Sequence, residues 1–306
     1  MLAGLDPFDA TSLSTLRSVL AGLDPDGPPT LVALQPSRRA KAVCLVPGSF
    51  NPPTVAHVAL ADRARNEGYD GVHFVYSVRT VGKRPNGLVP EDRLLLTRAA
   101  APSGVGVCVS SAGLLADMAV AATQAFDPTD LAILVGGDKL EQLFEHRWYA
   151  DRDAALEQLF SLARVLVAPR RDETERIEEI LRAHPRWGPR VDVLHLHPSI
   201  AEVSSTRVRQ VLRAGGDPSG LVPEPVASFL AEVAAFAPAV RFDGVARDRY
   251  AMRAQLFDLV LDGRCTREVP NLRLLWRLAQ DPGPQGRELR ALLRAGTPRP
   301  SASVGS

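Results

Sequence analysis

The stretch that decides the fold is "AVCLVPGSFNPPTVAH", residues 42 to 57. It begins with an uninterrupted apolar run, and a turn with one glycine and two adjacent prolines separates that run from a helical pattern. A strand that is apolar along its whole length is buried on both faces, as strands inside parallel sheets are. The stretch therefore predicts the first strand, loop and helix of an α/β unit.

The same alternation of apolar runs and longer amphipathic segments continues downstream. Parallel strands require crossovers of about a dozen residues or more, which is the spacing found here. We predict a doubly wound, Rossmann-like α/β domain with a parallel sheet over residues 41–240. Residues 1–40 are predicted to form a helical N-terminal extension, and 241–306 a helical C-terminal extension with a disordered tail. The predicted strands are "AVCLVP", "VHFVYS", "VGVCV", "LAILVG", "RVLVAP" and "VDVLHLH".

The composition is that of an ordinary soluble protein. With 45% hydrophobic residues, 23% charged residues and a net charge of +1, it gives no reason to expect nucleic acid or an anionic membrane as a partner. No apolar run approaches the ~20 residues of a membrane span, and no secretory signal pattern is visible, so we expect a cytoplasmic protein. Cys44, Cys108 and Cys265 are far apart and odd in number, which indicates reduced packing residues rather than disulfides or a zinc site.

The loop after the first strand is the favoured phosphate site of such a fold. Gly48 lets the backbone approach a ligand, and the two prolines stiffen the turn. Thr54 and His57 lie one helical turn apart at a helix start, whose partial positive charge attracts anions. A hydroxyl and an imidazole in this setting suit a polyphosphate. The alternative is a structural proline turn in which Thr54 caps the helix and His57 is half-buried.

A second candidate element is "EVSSTRVRQVLRAGG", residues 202–216. Ser204, Ser205 and Thr206 are strong N-cap residues, and Arg209 lies one turn further on the same face. Together they predict an anion cradle, although a capped surface helix with a solvated arginine would have the same pattern. No G-x-G-x-x-G and no P-loop signature is present, which argues against a dinucleotide-binding Rossmann site and a P-loop enzyme.

Taken together, "GSFNPPTVAH" and "VSSTRVR" resemble the two signatures of the nucleotidylyltransferase superfamily, H/T-x-G-H and I-S-S-T-x-x-R. Within it, the chain most resembles the nicotinamide/nicotinate mononucleotide adenylyltransferases, over about residues 42–236. The segments "LVGGDKLEQLFEHRWY" and "LVPEPVASFLAEVAAF" add weaker likenesses.

The resemblance implies that ATP and a mononucleotide react by direct in-line attack, giving a dinucleotide and pyrophosphate. Mg²⁺ is implied as cofactor, bound mainly through the ATP phosphates, with no metal ligand assigned to the protein. Asp138, implied to bind ATP, has a compatible structural interpretation as a helix cap. Trp148, implied to bind the acceptor, has the alternative of a core residue. The implied catalytic residues are His57, Lys83 and Arg209. ATP and its phosphates are assigned to Gly48, Ser49, Phe50, Thr54, His57, Gly136, Asp138, Ser204, Ser205, Thr206 and Arg209. The acceptor is assigned to Ser49, Phe50, Asn51, Lys83 and Trp148.

Two departures from the family pattern concern the acceptor more than the adenylyl transfer. Ala56 stands where the bacterial branch usually has a glycine before the histidine. The segment "SSAGLLADMAVAATQ" contains no aromatic residue and has Asp117 where a nicotinoyl-recognising motif is expected, with Ser110 and Ser111 as candidate replacements. Transfer to another acceptor such as phosphopantetheine, cytidylyl transfer, and a nucleotide-binding protein without turnover therefore remain alternatives.

The C-terminal extension carries no motif residue. Its segments "RDRYAMRAQLFDLVLDG" and "NLRLLWRLAQ" have apolar residues at helical spacing, so we expect them to pack on the core domain or on a second subunit of a homo-oligomer. We assign this extension to stability or assembly. His195 and His197 share a strand face, but no third ligand lies nearby, and they are interpreted as packing or exposed residues.

Overall fold

A seven-stranded sheet forms the centre of the protein in this computed structural model, which describes residues 5–35, 40–79, 87–170, 173–261 and 271–295. The strands are β1 Leu31–Ala33, β2 Ala42–Pro47, β3 Gly71–Ser77, β4 Gly106–Ser110, β5 Asp130–Gly136, β6 Arg164–Ala168 and β7 Val191–Val193. Their order is β1-β4-β3-β2-β5-β6-β7, and all neighbours run parallel except β1, which is antiparallel to β4. The six predicted parallel strands are thus confirmed, although the last is shorter than the apolar run that predicted it.

Helices cover both faces of this sheet. They are α1 Ala10–Ala21, α2 Val55–Asn66, α3 Pro90–Ala100, α4 Leu115–Phe126, α5 Gly137–Phe144, α6 Arg152–Leu162, α7 Thr174–Ala183, α8 Pro198–Ala201, α9 Ser205–Arg213, α10 Glu224–Glu232, α11 Arg249–Leu261, α12 Leu272–Gln280 and α13 Pro284–Ala295. Single 3-10 turns cover His146–Trp148 and Gly188–Arg190, and β8 Val240–Phe242 pairs with β9 Val245–Arg247 in a separate hairpin.

The alternation of side chains along β2 shows why both faces must be covered. Cys44 and Val46 enter one apolar core, which contains α1, α2, α3 and the C-terminal helices. Val43 and Leu45 enter the other core, built with α4, α5, α6 and α7. This arrangement confirms the doubly wound class, because a strand buried on both faces has no polar side to offer to water.

Both extensions join the first of these cores. The N-terminal extension contains α1, which packs on α3 and α11, and also the edge strand β1, which the sequence did not predict. A three-residue strand is too short to show a period. In the C-terminal extension the predicted helices are present, and Leu256, Phe257 and Trp276 are buried in the core. The tail Gly296–Ser306 and Cys265 lie outside the described residues. Within the described ranges, no helix has the length and apolar character needed to cross a membrane.

The strand order positions the site. The connections that follow β2 and β5, which are neighbours in the sheet, lead to helices on opposite faces. Ligands of doubly wound sheets bind at this reversal of strand order, beyond the carboxyl ends of the strands. The loop after β2 and the beginning of α5 after β5 therefore meet where a ligand would lie.

Candidate active site

The loop from Gly48 to Thr54 has an unusual local conformation. Phe50 is fully buried and adopts a positive φ of 44°, a backbone conformation that bulky residues rarely take. Its ring lies under Gly48, where an added Cβ would be 2.8 Å from it, so only glycine fits there. The same ring packs against His57, with 5.0 Å between centroids. The Phe50 ring therefore packs against both the loop backbone at Gly48 and the ring of His57.

The contacts of His57 determine which ring nitrogen carries its proton. The backbone N–H of Thr54 donates to Nδ1 at 3.0 Å, and Thr54 Oγ1 lies 2.8 Å from the same atom. A backbone N–H can only donate, so Nδ1 is the acceptor and the neutral ring has its proton on Nε2. Burial, together with the charge of Arg170, lowers the pKa of His57 to about 4. Near neutral pH the side chain is thus an uncharged donor through Nε2.

The downstream element begins as the sequence predicted. Ser204 is the N-cap of α9, and its hydroxyl accepts from the backbone N–H of Arg207 at 3.2 Å. One turn later, Arg209 Nη2 donates to Thr206 Oγ1 at 3.1 Å, which confirms that these two side chains share a face.

Two contacts join this helix start directly to the first loop. Ser205 Oγ donates to the carbonyl oxygen of Pro52 at 2.8 Å, and Arg209 Nη1 donates to that of Asn51 at 2.8 Å. The partners lie 153 and 158 residues apart in the chain. The two elements that the sequence singled out therefore form one site, with the loop carbonyls held on the side of α9.

Two arginines at the site were not predicted from the sequence. Arg93 in α3 is buried. The pKa of Arg209 is lowered first by burial, then by the charge of Arg213, and then by the charge of Arg93, so Arg93 lies close to Arg209. Arg170 follows β6, and its Nη2 lies 3.5 Å from Asp138 Oδ1. Its position just beyond a strand end was a usable signal, whereas Arg93 reads as an ordinary residue of an amphipathic helix. Converging guanidinium groups repel one another, and an anionic ligand would relieve that repulsion.

The start of α5 supplies the third part of the site. Gly136 is the N-cap, and Asp138 lies in the first helical turn beside Arg170. The structural alternative, in which Asp138 itself caps the helix, is not the arrangement observed. Its partly exposed carboxylate lies at the edge of the site, next to the guanidinium of Arg170.

A small cleft opens between α4 and α5. Trp148 is half-buried at this cleft rather than in the core, and its Nε1 donates to Glu145 Oε2 at 2.7 Å. Burial raises the pKa of Asp117, and burial together with the charge of Asp117 raises that of Tyr149 to about 12. The cleft is lined by Gly113, Leu114, Leu115, Lys139, Gln142, Leu143, Trp148 and Tyr149.

Comparison with known proteins agrees with this geometry. The family model described as cytidylyltransferase-like matches residues 45–211, which is more than half of the chain and spans both joined elements. The chain belongs to this cytidylyltransferase-like family. It is therefore an enzyme of the nucleotidyltransferase kind, and the predicted relationship to the mononucleotide adenylyltransferases is confirmed.

Curated relatives named as probable nicotinate-nucleotide adenylyltransferases match most of their own length. The protein of Anaeromyxobacter sp. (strain K) is 34% identical over 206 residues, which are 63% of this chain and 95% of the relative. That of Salinibacter ruber is 30% identical over 205 residues, covering 61% of this chain and 94% of the relative. The Streptococcus pneumoniae serotype 4 protein is 25% identical over 219 residues, covering 66% and 94%.

Several residues expected to act in this cytidylyltransferase-like site are engaged within the protein. Phe50 is buried, and the Asn51 side chain accepts from the backbone N–H of Leu88 at 3.0 Å, whereas Ser49 is exposed. Ser110 and Ser111 are buried, and each bonds to backbone groups near the sheet edge. They are therefore not placed to replace the missing acceptor contacts. Lys83 lies outside the described residues.

The remaining histidine and metal predictions concern residues away from this site. His195 and His197 are exposed, and His197 Nδ1 caps α8 by accepting from the backbone N–H of Ser199. Among the residues that the structure describes, no group of three or more His, Cys, Asp or Glu side chains is arranged to hold a metal ion.

Proposed function

We propose that this enzyme transfers the adenylyl group of ATP to nicotinate or nicotinamide mononucleotide, giving deamido-NAD or NAD and pyrophosphate. The observation that carries the proposal is the junction of the two elements, in which Ser205 and Arg209 donate to the carbonyl oxygens of Pro52 and Asn51. It brings the first loop, His57 and the start of α9 into one anion-binding surface at the reversal of strand order.

In the proposed reaction, an oxygen of the mononucleotide 5′-phosphate attacks the α-phosphorus of ATP. A new P–O bond forms while the bond between the α-phosphorus and the bridging oxygen breaks, and pyrophosphate leaves with both electrons of that bond. No covalent enzyme intermediate is required, so the protein contributes positioning and charge stabilisation. The neutral His57 donates from Nε2 to phosphate oxygens, and Arg209 with Thr206 faces the β- and γ-phosphates.

The other site residues complete this proposal. Asp138 accepts from the hydroxyls of the adenosine ribose beside the backbone of Gly136. Lys83 binds the acceptor phosphate, as the family resemblance implies. Phe50 and Asn51 contribute through their main chain, because their side chains are engaged inside the protein.

A magnesium ion fits the site through the substrate. The guanidinium groups of Arg93, Arg170 and Arg209 make the surroundings cationic, and Mg²⁺ is ordinarily held by phosphate oxygens, waters and one or two carboxylates. We propose that Mg²⁺ would be held mainly by the phosphate oxygens of ATP and by waters. When bound, it neutralises the charge that develops on the leaving phosphates.

The cleft between α4 and α5 is the proposed acceptor subsite. Trp148 presents an aromatic surface there, and Lys139 adds a cation to its lining. A lysine near a pyridine carboxylate favours nicotinate over nicotinamide, in agreement with the names of the relatives. The carboxylate of Asp117, which is close enough to Tyr149 to raise its pKa, would disfavour the negatively charged nicotinate.

The test is a grid of pyrophosphate-release assays with ATP and CTP against nicotinate mononucleotide, nicotinamide mononucleotide and phosphopantetheine. We expect turnover with ATP and one or both pyridine mononucleotides. Turnover confined to CTP or to phosphopantetheine would replace the proposed substrate. Tight ATP binding with no pyrophosphate from any acceptor would identify a nucleotide-binding protein instead.

A further inference from the structure

The beginning of α3 is held from one side by the C-terminal extension. Tyr250 in α11 donates its hydroxyl to Asp92 Oδ2 at 2.7 Å and accepts from the backbone N–H of Val89 at 2.8 Å. Arg253, one turn later, forms an ion pair with the same carboxylate at 2.6 Å, and both side chains are 0% exposed. Arg253 also donates to the carbonyl oxygen of Pro7. The extension thus reaches the first helical turn of α3 through fully desolvated polar groups.

Residues at and just before the start of α3 also contact the first loop, Gly48 to Thr54. The backbone N–H of Leu88 donates to Asn51 Oδ1 at 3.0 Å. Arg93 Nε donates to the carbonyl oxygen of Leu88 at 2.7 Å, and its Nη1 lies 3.5 Å from that of Ser49. Gly87 passes so close to Asn51 that an added Cβ would lie 2.6 Å from its Oδ1. Residues 87–93 therefore contact both the extension and the loop.

The loop needs such support because of its own conformation. Phe50 keeps its positive φ only while the surrounding contacts determine it. Some of those contacts come from α9, and the others come from residues 87–93. Any displacement of the first turn of α3 would move Arg93 and Leu88 relative to the loop.

The relative from Anaeromyxobacter sp. (strain K) is shorter than this chain. The Anaeromyxobacter sp. (strain K) protein is matched over 95% of its length by only 63% of this chain. About a third of the chain consequently has no counterpart in it, and the family match ends at residue 211, before α11 begins. The contacts of Tyr250 and Arg253 are an addition to the shared domain.

We propose that the C-terminal extension is a positioning element for the active site. Tyr250 and Arg253 are positioning residues: they fix Val89 and Asp92, and through residues 87–93 they fix the loop that presents His57. The expected change in kcat/KM rests on the proposed function, whereas the expected change in hydrogen exchange of the loop does not.

The Tyr250→Phe variant of the full chain tests the proposal, because it removes one hydroxyl and leaves the ring. The backbone N–H of Val89 then loses its acceptor, and a buried unpaired donor costs enough to shift an equilibrium by about tenfold. We expect kcat/KM to fall by about 3- to 10-fold. Hydrogen exchange in a peptide covering residues 45–57 should become faster by a similar factor.

Leu289→Ala is the matched control. Leu289 is buried in α13 of the same extension, and α13 packs on α11 and α12. This variant should lower the melting temperature at least as much as Tyr250→Phe while leaving kcat/KM and loop exchange within about twofold. If Tyr250→Phe changes only the melting temperature, as the control does, the extension is merely structural and the proposal is overturned.

A double-mutant cycle tests whether the extension acts on the loop through residues 87–93. If the extension acts through residues 87–93, Tyr250→Phe should have little further effect on loop exchange once Arg93→Lys is present. Additive effects would overturn this route. Absence of turnover in the wild-type protein would refute the proposed function, while the exchange measurements would still decide on the positioning role.

Discussion

The first loop, Gly48 to Thr54, and the C-terminal extension keep their places by different means. The loop is held by polar contacts: Ser205 and Arg209 donate to its backbone carbonyl oxygens, and the backbone N–H of Leu88 donates to the Asn51 side chain. The extension is held by apolar burial, of which Phe257 is an example, with a buried ion pair at its centre. Backbone-binding residues at fixed spacing leave a visible signature in the sequence, whereas burial can be achieved by many sequences. The family match accordingly covers the loop and the start of α9 and ends before the extension begins.

The largest expected effect comes from removing the extension. A chain that ends at Val240 loses α11, α12 and α13 and uncovers the apolar surface of α1 and α3. Each large apolar side chain that becomes exposed costs about 1.5–3 kcal/mol, against a total stability of about 5–15 kcal/mol. We expect aggregation or a clearly lower melting temperature, measured by soluble yield and thermal unfolding.

Removal of Gly296–Ser306 is the matched control for this truncation. Its sequence has almost nothing to bury, so melting temperature and activity should remain unchanged. A soluble and equally stable protein that ends at Val240 would show that the extension is an independent module, and the comparison between the two regions would fail.

Replacement of His57 by alanine should have the next largest effect, and it acts on the loop alone. The variant loses the Nε2 donor, so kcat should fall by about 100-fold or more while ATP still binds. Steady-state kinetics and ATP titration measure the two quantities separately. His195→Ala, at an exposed histidine outside the loop and α9, should keep the wild-type kcat. Near-normal kcat in the His57 variant would contradict its central role.

Arg209→Lys should have a smaller effect on the same site. The planar guanidinium serves Asn51 and Thr206 at once, and a lysine keeps the charge without that fork. We expect kcat/KM to fall by about tenfold, since one charge-assisted hydrogen bond contributes about 1.5–3 kcal/mol. Arg207→Lys, in the same helix at an exposed position, is the control and should be unchanged. Equal activity in both variants would reduce Arg209 to a surface charge.

The last expected effect is absent at neutral pH and appears only in acid: a pH dependence of stability. The pKa of His57 is lowered to about 4 in the folded protein, mainly by burial, and is near 6.5 when unfolded. The unfolded state therefore binds the proton more readily, and this stability, fully present above pH 6.5, is lost as the pH falls towards 4. Between these pH values, each such histidine changes the free energy of unfolding by up to about 1.4 kcal/mol per pH unit.

His57→Gln should reduce the slope of unfolding free energy against pH between 6.5 and 4, measured by urea unfolding at several pH values. A slope should persist, because burial also lowers the pKa of His73 to about 4. An unchanged slope would show that the ring of His57 is not desolvated in the folded protein.

Sequence reasoning reached the parts of the site that depend on local pattern. The apolar run before Gly48 predicted β2, and the hydroxyl cluster predicted the cap of α9 at Ser204. It missed β1, whose three residues show no period, and the proximity of Arg170 to Asp138, which follows from the strand order. It also could not show that the Asn51 side chain is used inside the protein.

The sequence by itself determined the class of sheet, the position of the catalytic loop and the family, because strand burial, turn geometry and helix capping act over a few residues. Only the tertiary structure decided how the beginning of α3 is used. Its acidic first turn reads as an ordinary helix start that complements the helix dipole. In the folded protein, Asp92 instead binds Tyr250 and Arg253, and Arg93 beside it supports the catalytic loop. Partners about 160 residues apart leave no local pattern, because their attraction arises only after burial has removed the water around them.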